Sequence, residues 1–257
     1  MMIAGESAVF ILLLMTGVFF IRKSILKELA LVNEKKNFTL SVTHELKTPI
    51  ASSKLFLETL INRNLPKEHE KSILKKVYND QSRLQQLVED ILLASKLDEH
   101  KVKLYPKQIN LYDFVVSTTQ NMVGENNVRY NIPKDLVVEL DPFYFSSVIQ
   151  NLHSNAVKYS EKEIIWEADV KGEMVYLRIK DFGNGIPKKE RQNVFKLFYR
   201  MGDEDTRSSK GTGLGLYLVN KIVTLHNGKI SIAENKPQGT IIEIEIQQKW
   251  QRKKQYS

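Results

Sequence analysis

Residues 41–50, S-V-T-H-E-L-K-T-P-I, contain the side chains best suited to chemistry. A neutral imidazole such as that of His44 can act as a nucleophile when a carboxylate such as Glu45 orients the ring or takes its proton. Apolar residues recur here at spacings of four and three, which predicts a helix with a heptad-like seam. That seam consists of Val42, Leu46, Ile50, Ser53, Leu57 and Leu60. At about 100° per residue, His44 lies roughly 200° from Leu46 and therefore faces solvent. For the His-Glu pair alone, an ordinary surface histidine is the alternative.

Pro49 lies in the interior of this predicted helix. A proline there removes a backbone donor and clashes one turn back, at a cost of about 3 kcal/mol unless a kink is wanted. Since Pro49 follows the histidine by little more than one helical turn, we expect a bend that serves His44.

A pair of asparagines marks residues 150–159, Q-N-L-H-S-N-A-V-K-Y. Asn151 and Asn155 are four apart, so they share a helix face, with Lys158 close by. Amide oxygens can contact Mg²⁺, and a lysine can bind phosphate. A solvated helix face is the alternative for this spacing alone.

Two glycine-rich segments follow, D-F-G-N-G-I at 181–186 and K-G-T-G-L-G-L at 210–216. In the first, Asp181 can accept a hydrogen bond from an amino group such as that of adenine, while the glycines allow close approach of a flat ligand. A simple turn after a strand is the alternative. The second exposes backbone N–H groups before a helix, which favours phosphate, although it is neither a P-loop nor a dinucleotide fingerprint. Residues 195–209 begin with aromatics and become polar, as a mobile lid would.

In this order and at these distances, the segments resemble the phosphoacceptor box, N box, first glycine box, F box and second glycine box of sensor histidine kinases. The resemblance covers roughly residues 38–247. It implies a dimeric phosphoacceptor hairpin followed by a Bergerat-type ATP-binding domain. Within it, His44 is the phosphorylated residue, Glu45 the acid/base, and Thr48 positions water for dephosphorylating a partner.

The resemblance also implies ATP and Mg²⁺ as cofactors. Asn155 would contact Mg²⁺, and Asp181 would bind the adenine amino group, helped by Gly185, and by Thr240 through water. The second glycine box would wrap the triphosphate, and two phenylalanines would anchor the lid. The other implied nucleotide-binding residues are Asn151, Lys158, Tyr159, Gly183, Ile186, Phe195, Phe198, Gly211, Thr212, Gly213, Leu214 and Gly215. Two residues depart from the family pattern, namely Phe182 at a usually polar position and His153 at a usually apolar one.

The totals for the chain narrow the classes of function. Its 257 residues suggest one or two domains, and the absence of cysteine excludes disulfides and Cys-ligated zinc. The five histidines form no ligand-like cluster, and the net charge is +8. A basic balance can indicate nucleic acid, anionic lipid or a polyanionic substrate. Because no basic helix carries base-reading residues, we expect lipid and nucleotide as partners and no direct nucleic-acid contact.

Residues 1–21 are predicted to be a transmembrane anchor. From Ile3 to Ile21 a helix would be ~28 Å long, close to the hydrocarbon thickness. Arg22, Lys23 and Lys27 follow, so the positive-inside rule puts the remainder in the cytoplasm. A signal peptide and a buried core helix are the alternatives. We therefore expect a single-pass protein of the cell membrane with cytoplasmic kinase domains and no room for an external sensor domain.

The segment after the anchor is expected to be helical. Residues 22–36 form the linker, and the helical character of 22–40 is predicted to continue into the His44 helix, either transmitting rotation or tilt or acting as a passive spacer. Residues 37–104 are predicted to form an antiparallel hairpin, with the first helix ending near Asn62–Leu65 and the second running from beyond Pro66 to about Leu97. Two copies should pair as a four-helix bundle, so we expect a homodimer.

The second helix of the hairpin has its own stripe. It consists of Ile73, Val77, Asp80, Leu84, Leu87, Ile91 and Ala94. Asp80 is the polar exception, and either it fixes the register or it lies at the edge of the bundle.

Residues 105–249 are predicted to be the catalytic ATP-binding domain, and residues 250–257 a basic tail. Helices and mostly antiparallel strands alternate here, which predicts a two-layer α/β sandwich and an α+β class for the whole chain. The predicted helices are Leu111–Met122, capped by Asn110, then one from Asp141-Pro142 to Lys158, and Thr212–His226. The predicted strands are Val128–Ile132, Leu136–Leu140, Ile164–Val170, Met174–Lys180, Lys229–Ala233 and Thr240–Ile246, while residues 98–108 are predicted to be a polar linker.

The function that these features favour is ATP-dependent autophosphorylation of His44, with transfer of the phosphoryl group to an aspartate of a response regulator. Two alternatives use the same segments. An ATP-driven clamp like the heat-shock or mismatch-repair ATPases would hydrolyse ATP without a phosphoprotein. A membrane scaffold with a decayed kinase would bind ATP poorly.

Overall fold

The computed structural model describes residues 2–98, 102–120, 122, 127–160, 162–201 and 212–250. Gly211, the polar part of the predicted lid and most of the predicted basic tail lie outside these residues. So does part of the predicted 98–108 linker.

Helix α1 runs from Met2 to Asn62 and continues through Pro49. It joins the predicted anchor, the linker and the His44 helix in one element, and its end confirms the predicted boundary. No helix among the described residues is long and apolar enough to span a bilayer. The prediction of a transmembrane segment is therefore not confirmed by the fold.

Helix α2, Lys67–Asp98, completes the predicted hairpin. Every position of its stripe is buried or half-buried, including Asp80. The Asp80 Oδ2 and Ser53 Oγ atoms are buried without hydrogen-bond partners in the described residues. Asp80 therefore lies in the seam between the helices and not at a solvated edge.

The C-terminal domain is the predicted two-layer sandwich. Its helices are α3 Leu111–Thr119, α4 Pro142–Tyr159 and α5 Gly215–Leu225, and a 3₁₀ turn covers Asn193–Phe195. Its strands are β1 Lys107–Asn110, β2 Val128–Asn131, β3 Val137–Leu140, β4 Ile164–Lys171, β5 Met174–Lys180, β6 Lys229–Glu234 and β7 Thr240–Gln247. The larger sheet has the order β2-β4-β5-β7-β6, with only β2 and β4 parallel, and β1 pairs with β3 in a small second sheet.

Three predicted boundaries were wrong by more than one residue. Helix α3 ends at Thr119 instead of Met122. The linker prediction missed β1, a four-residue strand that pairs antiparallel with β3. Helix α5 begins at Gly215 instead of Thr212, because Gly213 has a φ of +71° and turns the chain before the helix starts.

Capping side chains fix where helices α3 and α4 begin. Asn110 accepts a hydrogen bond from the Asp113 N–H, which confirms the predicted cap. Asp141 caps α4 and also accepts from the Tyr105 N–H at 2.7 Å. The α4 cap therefore also holds the incoming linker.

Two buried histidines make the stability of this domain depend on pH. Burial lowers the pKa of His153, whose Nδ1 accepts a hydrogen bond from Trp166 Nε1–H at 3.4 Å. Burial also lowers the pKa of His226, partly opposed by a hydrogen bond to the Ile222 carbonyl and by the charge of Asp141. The Asp141 N–H donates to Nε2 of His226, so the proton of the neutral His226 ring lies on Nδ1, which donates to the Ile222 carbonyl.

We predict that acidification destabilises the protein. Below the ordinary histidine pKa of 6.5, the unfolded chain binds more protons than the folded chain. The free energy of unfolding therefore falls as the pH drops from that value toward the folded-state values, by about 1.4 kcal/mol for each unit of pKa lowering. Urea unfolding between about pH 7.5 and 5.5 checks this, and His153→Phe should flatten the dependence whereas the exposed His69→Gln should not. An unchanged slope in His153→Phe would contradict the assignment.

Candidate functional site

A cavity of about 690 Å³ lies between the hairpin and the C-terminal domain. Most of the predicted nucleotide-binding residues line it: Asn151, Asn155, Lys158, Tyr159, Asp181, Gly185, Ile186, Thr212, Gly213, Gly215 and Thr240. The three chemically marked segments of the C-terminal half thus enclose one space of the size that small-molecule sites have.

Helix α4 supplies the asparagine face of the cavity. Its buried side packs into the core, which leaves Asn151 and Asn155 half-buried at the cavity wall. The Asn151 amide donates to the Ser147 carbonyl at 2.9 Å. If residue 215 carried a side chain, its Cβ would lie only 2.6 Å from Asn151 Oδ1. Gly215 is therefore needed for α4 and the start of α5 to approach this closely.

Asp181 is held rigidly at the end of β5. Its Oδ1 accepts from the Gly183 N–H at 2.9 Å and from the Thr240 N–H at 3.1 Å. Both bonds use Oδ1, so Oδ2 can accept from an amino group in the cavity. The apolar side chains of Ile179 and Ile242 also line the cavity, which suits a flat ring.

The second glycine segment leads into the N-terminus of α5. That helix has no side-chain cap, and the Leu214 N–H donates to Thr212 Oγ1 at 3.1 Å. An uncapped helix start beside Gly213 and Gly215 presents backbone donors to an anion. Gly211 lies outside the described residues, and Leu214 is buried in the core.

Other predicted residues have supporting positions. A Cβ on Gly183 would lie 2.1 Å from the Tyr159 carbonyl oxygen, so this glycine serves close packing. The buried Phe198, with a φ of +59°, has its ring centroid 4.7 Å from that of Phe38 on α1. Within the described residues, Gly183, Phe195 and Phe198 do not line the cavity.

His44 and Glu45 point to different surroundings. His44 is exposed, as predicted, and its carbonyl accepts a hydrogen bond from Thr48 Oγ1 at 3.2 Å. Glu45 is only 5% exposed and lines the cavity. Its Oε2 lies 2.5 Å from Arg83 Nη2, and its Oε1 lies 3.6 Å from Arg200 Nη1. The phosphoacceptor candidate thus faces solvent while its neighbour faces the cavity.

A second contact joins the hairpin to the C-terminal domain. Asp98, at the end of α2, pairs with Lys221 of α5 at 2.7 Å and accepts a hydrogen bond from the Tyr217 hydroxyl. Together with the Glu45 ion pairs and the Phe38–Phe198 contact, this holds the domain against the hairpin at both ends of the interface.

Sequence reasoning missed several cavity residues, chiefly Arg83, Asp90 and Arg200. Burial raises the pKa of Asp90, partly opposed by a hydrogen bond from Gln86. Arg83 and Asp90 directly precede Leu84 and Ile91 of the α2 stripe. That was their only signal in the sequence, and polar residues at such positions ordinarily face solvent. Arg200 follows the aromatic residues of the predicted lid, and nothing in its spacing marks a role.

The two halves of the chain match two protein families. Residues 34–100 match the His Kinase A (phospho-acceptor) domain, and residues 141–249 match the histidine kinase-, DNA gyrase B-, and HSP90-like ATPase family. Together these matches cover more than half of the chain. The chain therefore belongs to the sensor histidine kinases.

Individual proteins extend this comparison. Sensor histidine kinase WalK of Bacillus subtilis is 34% identical over 219 residues, which cover 81% of this chain but 36% of WalK, so the chain spans little more than a third of that relative. The Acinetobacter baumannii histidine kinase AdeS shares the fold with a TM-score of 0.62 at 24% identity, over 80% of this chain and 98% of that one. Histidine kinase ThkA, solved in complex with the response regulator protein TrrA, shares the fold with a TM-score of 0.61 at 23% identity. The match covers 82% of this chain and 60% of that one.

We predict that Gly213→Ala disrupts the cavity by crowding. Its φ is +71°, and an added Cβ would lie 2.7 Å from the Phe198 carbonyl carbon. Gly172 has a similar φ of +61° with no atom within 4 Å of an added Cβ, so Gly172→Ala isolates the backbone strain. We expect Gly172→Ala to cost about 1 kcal/mol and Gly213→Ala about 3 kcal/mol or more in urea unfolding. Equal costs would show that the close approach to Phe198 is unimportant.

Proposed function

We propose that the chain is an ATP-dependent protein-histidine kinase that phosphorylates His44 and passes the phosphoryl group to an aspartate of a response regulator. The observation that carries the proposal is the shared cavity. Residues suited to adenine, phosphate and Mg²⁺ line it together with Glu45, which is adjacent in sequence to the exposed His44.

The cavity supports the binding of ATP. Asp181 Oδ2 accepts from the adenine amino group, with the ring lying over Ile179 and Ile242. Lys158 and the backbone donors before α5 bind the phosphates, because both offer positive charge at the cavity wall. The remaining predicted contacts, with Asn151, Tyr159, Gly185, Ile186 and Thr240, follow from their place in the same cavity.

Mg²⁺ fits this site as a partner of the nucleotide. The described residues contain no group of three His, Cys, Asp or Glu side chains able to hold a metal by themselves. Mg²⁺ commonly keeps its waters and takes phosphate oxygens with few protein ligands, and the Asn155 amide oxygen supplies one such contact. When bound, the ion would offset charge on the phosphates.

Phosphoryl transfer requires the ATPase domain to reorient on the hairpin. His44 attacks the γ-phosphorus in line, so that a nitrogen–phosphorus bond forms as the bond to the β-phosphate oxygen breaks and ADP leaves. Glu45 takes or holds the imidazole proton. In the structure His44 is exposed and Glu45 is paired with arginines, so this arrangement precedes the reactive one.

The response regulator would dock on the hairpin near His44, where the imidazole is accessible. ThkA, which shares the fold of this chain, has been solved in complex with a response regulator protein. That complex supports this choice of partner. In this proposal Thr48, whose hydroxyl donates to the His44 carbonyl one turn away, would position water for dephosphorylating that partner.

The hairpin supports a homodimer. Ile50 and Leu57 belong to the α1 stripe, yet they remain 54% and 44% exposed, because α2 covers only one side of it. Pairing two copies would bury these side chains in a four-helix bundle.

We predict that Ile50→Asp separates the dimer. A charge in an apolar seam must be desolvated on pairing, which should weaken association roughly 100-fold or more. Sedimentation of the full chain measures this. Leu55→Asp, about 180° around the helix from the stripe, serves as the matched control and should leave the dimer intact. Dimers of equal strength in both variants would argue against this interface.

A membrane anchor at the start of α1 completes the proposal, with the kinase domains on the cytoplasmic side of the cell membrane. Its support is the exposure of the apolar side chains of residues 18–21 and of Leu12, Leu14 and Met15, and the basic residues that follow. Such a surface is costly in water and favourable in lipid.

We predict that His44→Gln abolishes labelling by γ-labelled ATP while leaving nucleotide affinity unchanged, because His44 does not line the cavity among the described residues. The exposed His69→Gln on α2 should retain full labelling. Undiminished acid-labile phosphate in His44→Gln would refute the assignment, and ATP hydrolysis without any phosphoprotein would favour a clamp ATPase.

A further inference from the structure

The Glu45 carboxylate is bound by arginines from both domains. Arg83 of α2 contacts Oε2, and Arg200, in the described part of the predicted lid, contacts Oε1. All three side chains line the same cavity as Asn155, Lys158 and the second glycine-rich segment. The hairpin thus contributes two carboxyl groups, of Glu45 and Asp90, and the Arg83 guanidinium to the wall of the nucleotide site.

A buried carboxylate is costly unless it is paired, so Glu45 depends on these arginines. Guanidinium groups bind phosphate in the same forked geometry as carboxylate. An incoming phosphate group and the Glu45 carboxylate therefore compete for the same donors. An N–H group that turns to the phosphate no longer donates to Glu45.

We propose that Arg83 and Arg200 exchange partners when ATP binds. Without nucleotide they hold Glu45, and with nucleotide they bind its terminal phosphate. This inference rests on the proposed function and assigns two substrate-binding residues to it. The exchange releases Glu45 beside His44 only when a phosphate group is present to be transferred.

The exchange keeps the two domains linked, because the terminal phosphate then bridges Arg83 of the hairpin and Arg200 of the ATPase domain. Asp98 remains paired with Lys221 and Tyr217 at the other end of the interface, and Phe38 remains against Phe198. The two arginine side chains, 36% and 18% exposed, have solvent-accessible surface in the cavity toward which they can turn.

The exchange makes a prediction that a merely structural Glu45 would not. In the full chain, Glu45→Gln removes the competing anion, so Mg·ATP should bind roughly tenfold more tightly. Binding of ADP should tighten less, and binding of adenosine should not change, because adenosine has no phosphate. Calorimetric titration with each of the three ligands measures this. Glu58→Gln, an exposed glutamate on the same helix that pairs with Lys54, is the matched control and should behave as wild type.

A second variant tests the same idea from the other side. Arg200→Gln should weaken Mg·ATP roughly tenfold while leaving adenosine unchanged. Unchanged or weaker ATP binding in Glu45→Gln, or equal losses for ATP and adenosine in Arg200→Gln, would overturn the exchange. A wild-type chain that fails to bind Mg·ATP would overturn the proposed function itself, so the two failures are distinguishable.

Discussion

The pairing of the buried Glu45 carboxylate with Arg83 and Arg200 is the constraint on which the arrangement of the two domains depends. A carboxylate that is 5% exposed must find cations, and here one comes from each domain. Satisfying that charge brings the ATPase domain against the hairpin. The nucleotide cavity is consequently completed by hairpin side chains, and Asp98 and Phe38 reinforce the same contact from either side.

Helix geometry explains how two neighbouring residues of α1 face different environments. Consecutive residues of α1 point about 100° apart, so His44 can face solvent while Glu45 faces the cavity. An exposed His44 is accessible to a regulator protein, whereas a buried Glu45 is accessible to the nucleotide site. The proposed kinase cycle therefore needs a change in how the ATPase domain sits on a single continuous helix, and not a change in the fold of either domain.

Local signals predicted most of the fold. The strand alternation, the α2 stripe and the Asn110 and Asp141 caps depend on neighbouring residues, and the structure confirms them. The glycine and asparagine segments predicted most of the cavity for the same reason. Strand β1 was missed because four residues are too few to show alternation, and its pairing with β3 is non-local. Arg83 and Arg200 were missed because their roles arise only when the two domains meet around Glu45.

The most direct test of this account measures the distance between the two domains without nucleotide. Since the chain has no cysteine, spin labels can be attached to cysteines at the exposed positions 89 and 224, with labelled chains diluted into unlabelled ones. The account predicts one narrow distance distribution that broadens in Arg200→Ala, because the Glu45 pairing is then lost. A distribution that is already broad in the wild-type chain, or one that Arg200→Ala leaves unchanged, would contradict it.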